Sequence, residues 1–515
     1  MTKDREQLRH NLRTLVANSK LGTRRGWSIV LAILTIATIG TALLHGSHAA
    51  TPTAAFETED GTLSGSASLA DDTGASGSKA VKFGSSTNTL PPPNGTALTV
   101  DFRTKGYALD AYSVGGTIST YSGGGQANIN KSATWKSNLQ ALGPLAWRIP
   151  LRYNNGNPGS SAGGAQSSGD AQTYVQNIKA IGGEAVVVVG GNTSDNDFTA
   201  SDAAGLVHYF NDNGGQHGGP VKQWVIGNEY TNGGNDPVGY QSKLNGWAAA
   251  MKGADPTIKL SAPAAPDMKY ADGPIGLSVA NASQYLDYLS YHAYQGQSAG
   301  LGATGDYKTY ADQYRNKYAT SANFGTRAGQ IKTSLEEFNW APYYSGNAEF
   351  YNWQNTVFTA SVIGNSLSGD ARAFHYSDSN GPIGLMNDGS GQNGQVGSLY
   401  TKFPAYYGLG MWTGMNGQFK RYGSSLVTAN STVANVEVFA TDNGKILAIN
   451  KDATTDRTVT LGLGGQPASG SYTVWQTSKA NPLNAPTKVT NAASYSSQTI
   501  TLTLPAGTVS NIDVN

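Results

Sequence analysis

The chain has 515 residues, which is long enough for two or three domains with a sizeable core, and a formal net charge of +1. Seven of its 35 basic residues lie in the first 25, so the rest carries more acidic than basic side chains and no basic stripe for a nucleic-acid backbone. Because there is no cysteine, structural disulfides, thiolate nucleophiles and cysteine-ligated metals are excluded.

Residues 1–50 are predicted to be an export segment. An uncharged, mostly apolar run of 18 residues, Trp27 to Leu44, follows the basic stretch and precedes Ser47-His48-Ala49. This order is typical of a secretory signal peptide with a small-x-small cleavage site. The run is also close to membrane-spanning length, so an uncleaved anchor is the alternative. Either way, we expect the protein to be secreted, or attached to the cell membrane through residues 27–44.

Residues 51–96 are small and polar, and they end in the proline triplet Pro91-Pro92-Pro93, which predicts a stiff linker. Two stretches before it, Phe56–Gly65 and Gly74–Gly84, resemble the opening strands of β-sandwich carbohydrate-binding modules. The segment is too short for a whole module. A linker that keeps a remnant of one is therefore the preferred interpretation, and carbohydrate binding by residues 51–86 stays open.

Residues 97–415 show short apolar runs alternating with amphipathic helical stretches, a pattern typical of βα units and a parallel sheet. We expect a (β/α)8 barrel over this segment. A doubly wound sheet, the competing fold, needs a glycine-rich nucleotide turn after its first strand, and Ser113–Gly116 matches one poorly. The eight predicted strands are Tyr107–Tyr112, Leu145–Pro150, Glu184–Val189, Lys222–Gly227, Lys259–Pro263, Tyr288–His292, Ile331–Glu336 and Arg372–Tyr376.

Residues 416–515 lose the helical rhythm, and alternating runs typical of strands replace it. One pair of runs, Val433–Ala440 and Lys445–Asn450, flanks the hairpin turn signal Asp442-Asn443-Gly444. This segment is predicted to be a β-sandwich. The predicted fold class is therefore α/β, a (β/α)8 TIM barrel with an appended all-β sandwich.

Three glutamates lie at the ends of two predicted barrel strands, at the edge where such barrels gather their active sites. Glu229 follows the fourth strand, and the adjacent pair Glu336 and Glu337 ends the seventh. Neighbouring residues of a strand point to opposite faces, so at most one of the pair is expected to face a substrate, and the pattern does not say which. Two carboxylates from different strands, one protonated and one ionised, are what glycoside hydrolysis requires.

These motifs resemble the clan A glycoside hydrolases, whose barrels carry Asn-Glu after strand four and a second Glu after strand seven. Trp224 to Glu229 fits the first motif, and Glu337-Phe338-Asn339-Trp340 fits the second. The resemblance implies that Glu229 is the general acid/base. It also selects Glu337, rather than Glu336, as the nucleophile.

The same resemblance implies a supporting shell of side chains around the two carboxylates. Asn228 would bind the sugar 2-hydroxyl, and Arg148, in a segment similar to the clan's second strand, would keep the nucleophile ionised. The run Asp287 to Tyr294 looks like the sixth-strand motif, which places His292 and Tyr294 beside the nucleophile.

Further candidates for substrate binding are aromatic and histidine side chains near the strand ends. Trp340 and His375 are predicted to contribute to subsites, with core packing as the alternative for each. Tyr230, Tyr343 and Tyr344 are weaker candidates for stacking on sugar rings. No histidine pair has metal-ligand spacing with an acidic partner, so neither a metal nor another cofactor is expected.

The sequence thus predicts a secreted, retaining glycoside hydrolase of polysaccharides or oligosaccharides. The sandwich after the barrel directs the resemblance to the arabinofuranosidase, β-xylosidase and glucuronoxylanase families, and the two glutamate motifs favour the first. The loop Arg152–Asn157 lacks the Pro-Gly-Gly-Asn expected there, so the sugar stays open. A non-catalytic carbohydrate-binding surface protein and a transglycosylase on the same scaffold are the alternatives.

Overall fold

A computed structural model describes residues 67–71, 79–83, 96–118, 128–154, 157–159, 168–190, 199–229, 237–267, 282, 284–377, 381–391 and 394–515. The predicted export segment, residues 1–50, and the proline triplet Pro91-Pro92-Pro93 lie outside these residues. The chain divides into two compact units, Met1–Thr87 and Asn88–Asn515. In the first unit, β1 (Ala67–Asp71) pairs antiparallel with β2 (Lys79–Phe83). Among the described helices, none combines the length and apolar character needed to cross a membrane.

The second unit opens with a long strand, β3 (Thr96–Ala108), and then enters a closed barrel of eight parallel strands. A small hairpin of β6 (Arg152–Asn154) and β7 (Asn157–Gly159) follows the second barrel strand. The barrel strands, in chain order, are β4 (Val114–Thr117), β5 (Ala146–Pro150), β8 (Glu184–Val189), β9 (Gln223–Ile226), β10 (Lys259–Ala265), β11 (Tyr288–Ala293), β12 (Lys332–Phe338) and β13 (Ala371–His375).

Helices lie between the barrel strands and after the last one, and their apolar sides pack against the strands. The helix α3 begins with a capping box, in which Thr199 and Asp202 bond each other's backbone N–H groups. The described helices are α1 (Ala133–Gln140), α2 (Ser168–Ala180), α3 (Ala200–Asn211), α4 (Pro237–Ala254), α5 (Gly296–Ala299), α6 (Asp306–Tyr318), α7 (Ser321–Phe324), α8 (Trp353–Ser368) and α9 (Pro404–Thr413).

The predicted first barrel strand is wrong, whereas the other seven predicted strands overlap the observed ones. The barrel begins at Val114, within the stretch Ser113–Gly116 that was weighed as a nucleotide turn, and not at Tyr107. Glycine is unusual in strands, so strand propensity does not predict β4, which contains Gly115 and Gly116. A Cβ at Gly115 would lie 2.3 Å from the carbonyl oxygen of Ala146, so the close approach of β5 requires glycine there.

The remaining strands form one nine-stranded sheet with its own apolar core, in the order β19-β18-β21-β16-β15-β14-β3-β17-β20. Strand β3 pairs antiparallel with β14 and parallel with β17. Residues 97–108, placed with the barrel by the sequence pattern, thus belong to this sheet. Its C-terminal strands are β14 (Ser425–Ser431), β15 (Val436–Thr441), β16 (Lys445–Asn450), β17 (Arg457–Gly464), β18 (Gly470–Gln476), β19 (Thr487–Tyr495), β20 (Thr499–Leu504) and β21 (Thr508–Val514).

Close packing of α8 on the nine-stranded sheet predicts that Gly364→Ala is destabilising. A Cβ at Gly364 would lie 2.5 Å from the ring of Phe439, so the ring or the helix has to shift. We expect a loss of about 1–3 kcal/mol in the free energy of unfolding, measured by urea denaturation. The matched control is Gly246→Ala in α4, where a Cβ meets no atom within 4 Å. There alanine should stabilise by about 0.5–1 kcal/mol, and equal effects of the two changes would contradict the packing argument.

Candidate active site

Glu229 follows β9 in an unusual backbone conformation. Its φ is +52°, after Gly227 at +88°, and its N–H donates to the carbonyl oxygen of Ala264 over 3.0 Å. Non-glycine residues with positive φ cost free energy and persist where the surrounding structure fixes them, commonly at functional sites. The strained turn after β9 therefore directs the Glu229 carboxylate toward the mouth of the barrel.

Glu336 and Glu337 both point into the barrel, contrary to the expectation that neighbouring strand residues take opposite faces. The register between β12 and β11 shifts at this place. Leu335 pairs with Tyr291 and Glu337 pairs with His292, which leaves Glu336 without a pairing partner on β11. Such a bulge re-aims the side chains that follow it. Both carboxylates consequently lie against one guanidinium, that of Arg148.

Glu229 and Glu337 are brought together at the carboxyl end of the barrel. One carboxylate oxygen of each, together with a nitrogen of His292, forms a group whose members all lie within 4.8 Å of one another. The His292 Nδ1 atom is 2.8 Å from Oε1 of Glu229 and 3.4 Å from Oε2 of Glu337. Retaining glycosidases place their two carboxyl groups about 5–5.5 Å apart and inverting ones about 6.5–9.5 Å, so oxygens within 4.8 Å of each other favour the retaining arrangement.

Arg148, on β5, holds a permanent positive charge beside Glu337. It donates from Nη1 to Oε1 of Glu337 over 2.5 Å and from Nη2 to Oδ1 of Asn228. Burial opposes the charged guanidinium, but the carboxylates of Glu337 and Glu336 outweigh it and raise the pKa of Arg148. The predicted contact with Glu337 is therefore present, and the same side chain orients Asn228.

Tyr294 donates its hydroxyl hydrogen to Oε2 of Glu337 over 2.6 Å. Burial and the neighbouring Glu337 carboxylate raise the pKa of Tyr294 well above its usual value, so the phenol stays neutral. Tyr376, after β13, packs edge-on against the Tyr294 ring at 6.0 Å. Glu337 thus lies between a guanidinium and a phenol, and both donate hydrogen bonds to its carboxylate oxygens.

The two carboxylates differ in exposure, which suits different roles. The Glu337 side chain is 9% exposed and the Glu229 side chain 25%. An ionised nucleophile is stabilised by fixed donors in a dry position, whereas a group that exchanges protons with a leaving group and with water needs access to solvent. The roles predicted for Glu337 as nucleophile and Glu229 as acid/base stay predictions, and each would use the exposure that its side chain has here.

Trp340 and His375 are not brought to the surface of the cleft. The Trp340 side chain packs edge-on against Phe358 in the core and is 4% exposed. His375 is fully buried, with Nδ1 2.8 Å from Oγ of Ser377, and it pairs with Phe338 on the face of the sheet that meets the helices. Their predicted contacts with substrate stay predictions, and this arrangement gives core packing as their visible role.

The weaker aromatic candidates have separate positions. Tyr343 is 63% exposed in the stretch after β12, and Tyr344 packs against Phe350. Tyr230 lies outside the described residues. Exposure leaves Tyr343 available for stacking on a sugar ring.

Glu229, His292 and Glu337 have the composition of a possible metal-ligand set. The Arg148 guanidinium, 2.5 Å from Glu337, already supplies a positive charge at that carboxylate, which disfavours a cation beside it. The expectation that no metal or cofactor is needed stays a prediction.

A polar layer beneath the carboxylate pair escaped the sequence analysis. It consists of Ser261 on β10, Glu336 on β12 and Arg372 on β13, all buried. The available signal was polar residues within strands whose other inward positions are apolar, such as Val225 and Phe374. Charged residues are rarely fully buried without partners, so polar residues at such positions indicate a linked group.

The buried histidine predicts a specific loss of stability in acid. Burial lowers the pKa of His375 from 6.5 to about 3, so this ring stabilises the fold fully above pH 6.5 and progressively less as the pH falls toward 3. Between pH 7 and pH 5 the parent should lose about 2 kcal/mol that a His375→Asn variant keeps. Urea denaturation at both pH values measures this. A gap between parent and variant that does not narrow at pH 5 would contradict a neutral, buried His375.

No family model matches the chain, and no curated protein matches it in sequence. Solved structures do match. An alpha-L-arabinofuranosidase from Thermotoga maritima, in complex with arabinose, is 15% identical, covers 81% of this chain and 99% of its own, and superposes with a TM-score of 0.61. A family 30 subfamily 8 xylanase from Clostridium acetobutylicum is 17% identical, with coverages of 81% and 99% and a TM-score of 0.56. At these identities the likeness confirms the predicted clan A resemblance at the level of the fold, a barrel with an attached β-sheet domain.

Proposed function

We propose that the protein is a retaining glycoside hydrolase acting on a polysaccharide or oligosaccharide. The observation that carries the proposal is the pair Glu229 and Glu337, which come from the fourth and seventh barrel strands and present oxygens within 4.8 Å of each other. Glycosidase structures with the same fold support the assignment. One of them is an arabinofuranosidase and the other a xylanase.

The first half of the reaction forms a glycosyl-enzyme. The ionised Glu337 attacks the anomeric carbon of the sugar while the bond to the leaving oxygen breaks, and Glu229 gives its proton to that oxygen. Arg148 and Tyr294 fix the Glu337 carboxylate for attack through the hydrogen bonds already described. We expect Asn228, which accepts a hydrogen bond from Arg148, to bind a sugar hydroxyl near the reacting carbon.

The second half regenerates the enzyme. Glu229, now ionised, takes a proton from a water molecule as its oxygen attacks the anomeric carbon, and the bond to Glu337 breaks. Because each displacement inverts the anomeric carbon, two displacements give a product with the configuration of the substrate. A Glu229 side chain that is 25% exposed gives the water a route to this position.

The substrate is proposed to be an arabinofuranosyl or β-linked polymer. The fold is similar to those of an arabinofuranosidase, a xylanase and a xyloglucanase, which supports a plant- or microbe-derived polysaccharide. Hydrolysis assays on arabinan, xylan, β-glucan and galactan, and on the matching aryl glycosides, identify the sugar. We also propose that the enzyme acts outside the cytoplasm, because an apolar run follows the basic N-terminal stretch.

Substitution of each glutamate tests the mechanism. Glu337→Ala should abolish hydrolysis of every glycoside that the parent cleaves, because no nucleophile replaces the carboxylate. Glu229→Ala should lower kcat about 10²–10⁴-fold on substrates with poor leaving groups, and less on aryl glycosides whose leaving group needs no proton. NMR of the first sugar released should show retained configuration. Glu349→Gln, a glutamate outside the barrel strands, is the control and should keep full activity.

Two outcomes would favour the alternatives. Binding of polysaccharides without turnover of any substrate in the panel would indicate a carbohydrate-binding protein. Transfer of the sugar to an added alcohol or oligosaccharide in preference to water would indicate a transglycosylase. Full activity of Glu337→Ala, or inversion of configuration in the product, would overturn the two-glutamate mechanism.

A further inference from the structure

Glu336 is a fully enclosed carboxylate of the barrel interior, and the proposed reaction does not use it. Its side chain is fully buried beneath the catalytic pair. The Ser261 hydroxyl donates to its Oε1 atom over 2.5 Å. Two cations flank it: Nη2 of Arg372 lies 3.6 Å from Oε1, and Nε of Arg148 lies 3.6 Å from Oε2. A carboxylate so far from solvent requires opposite charges nearby, and it has one on each side.

Arg372 is held firmly in place below Glu336. Its Nε and Nη2 atoms donate to Oγ of Ser334 over 3.2 and 3.0 Å, and Nη1 donates to Oε1 of Gln223 over 3.0 Å. The guanidinium carbon lies 3.6 Å from the ring centre of Tyr288. This cation is therefore a fixed part of the barrel interior, independent of any substrate.

The four charges form an alternating series from the interior to the mouth of the barrel. Arg372 faces Glu336, Glu336 faces Arg148, and Arg148 faces Glu337. The shared member is Arg148, whose three guanidinium nitrogens face Glu336, Glu337 and Asn228. Because one cation lies between two carboxylates, the charge of either carboxylate alters the environment of the other.

We propose that Glu336 is a positioning residue that sets, through Arg148, the basicity of the nucleophile Glu337. This inference rests on the proposed function, since only then is Glu337 a nucleophile. With Glu336 ionised, Arg148 is partly neutralised and stabilises the Glu337 anion less than a lone guanidinium would. Glu337 thereby keeps a more reactive electron pair, while Arg372 compensates the buried charge of Glu336.

The series makes two predictions of opposite sign. Glu336→Gln keeps the shape of the side chain and an oxygen for Ser261, but removes the negative charge. The pKa of Glu337 should then fall by about one unit, and attack on the sugar should slow. Arg372→Met removes the lower cation and keeps an apolar stem over Tyr288. Without Arg372, the negative charge of Glu336 is compensated by Arg148 alone. Arg148 then stabilises the Glu337 anion less, so the pKa of Glu337 should rise.

The midpoint of the pH titration of the Glu337 carboxyl group is measured directly by ¹³C NMR of protein labelled at the glutamate side-chain carboxyl carbon. The Glu337 resonance is assigned by its absence in Glu337→Gln, and the pH titration is recorded for the parent and both variants. The other groups that face Glu337 are Arg148, Glu229, His292 and Tyr294, and all are unchanged in these variants. The acidic limb of the kcat/KM profile should move with the NMR midpoint, downward in Glu336→Gln and upward in Arg372→Met.

A matched control removes a comparable charge elsewhere. Glu437, on β15, pairs with Lys451 at 2.8 Å, and Glu437→Gln should leave the titration of Glu337 in place. Midpoints equal to that of the parent in both variants, or shifts in the same direction, would overturn the proposal. If Glu336→Gln does not fold, the upward shift in Arg372→Met still decides it. Absence of glycoside hydrolysis by the parent would refute the proposed function instead, because the NMR midpoints require no turnover.

Discussion

Placing a guanidinium in the interior of a protein is costly unless its donors and its charge find partners. Arg148 finds partners at two places in the chain. Its Nη1 and Nη2 atoms donate to Glu337 on β12 and to Asn228 after β9. Its Nε atom lies 3.6 Å from the carboxylate of Glu336, which compensates the charge without a hydrogen bond. The contacts with Asn228 and Glu337 fix two groups that the proposed chemistry needs in a set position. Because the partners come from different strands, the site exists only when the barrel has closed. The fold and the chemistry are thus linked through one side chain.

The bulge in β12 is the backbone feature that makes these contacts geometrically possible. In a regular strand, Glu336 and Glu337 would lie on opposite faces, and only one of them could reach Arg148. Stepping over Glu336 in the pairing with β11 brings both into the interior, one above the other. The lower carboxylate is then surrounded by protein, while the upper one borders the cleft.

Much of this arrangement follows from sequence because strand order and strand ends determine which residues meet. Seven barrel strands, the C-terminal sheet and the meeting of Glu229, Glu337, Arg148 and His292 were predictable from apolar runs and local motifs. The glycine-rich β4 was missed, because its residues are dictated by the nearness of Ala146 rather than by strand propensity. The orientation of Glu336 was missed as well, since a bulge is a property of paired strands and leaves no mark on one strand alone. For His375 and Trp340, position along the chain was predictable but the direction of the side chain was not.

The nine-stranded sheet is not simply a domain added after the barrel. Its strand β3 precedes the barrel in the chain, whereas β14 and β17, between which β3 lies, are made only after all eight barrel strands. The sheet therefore fastens the two ends of the unit together, with the barrel as an insertion between them. During synthesis, more than 300 residues are added after β3 before its pairing partner β14 is made. Contacts so distant in sequence form late in folding. We therefore expect cooperative folding of this unit to require its last hundred residues.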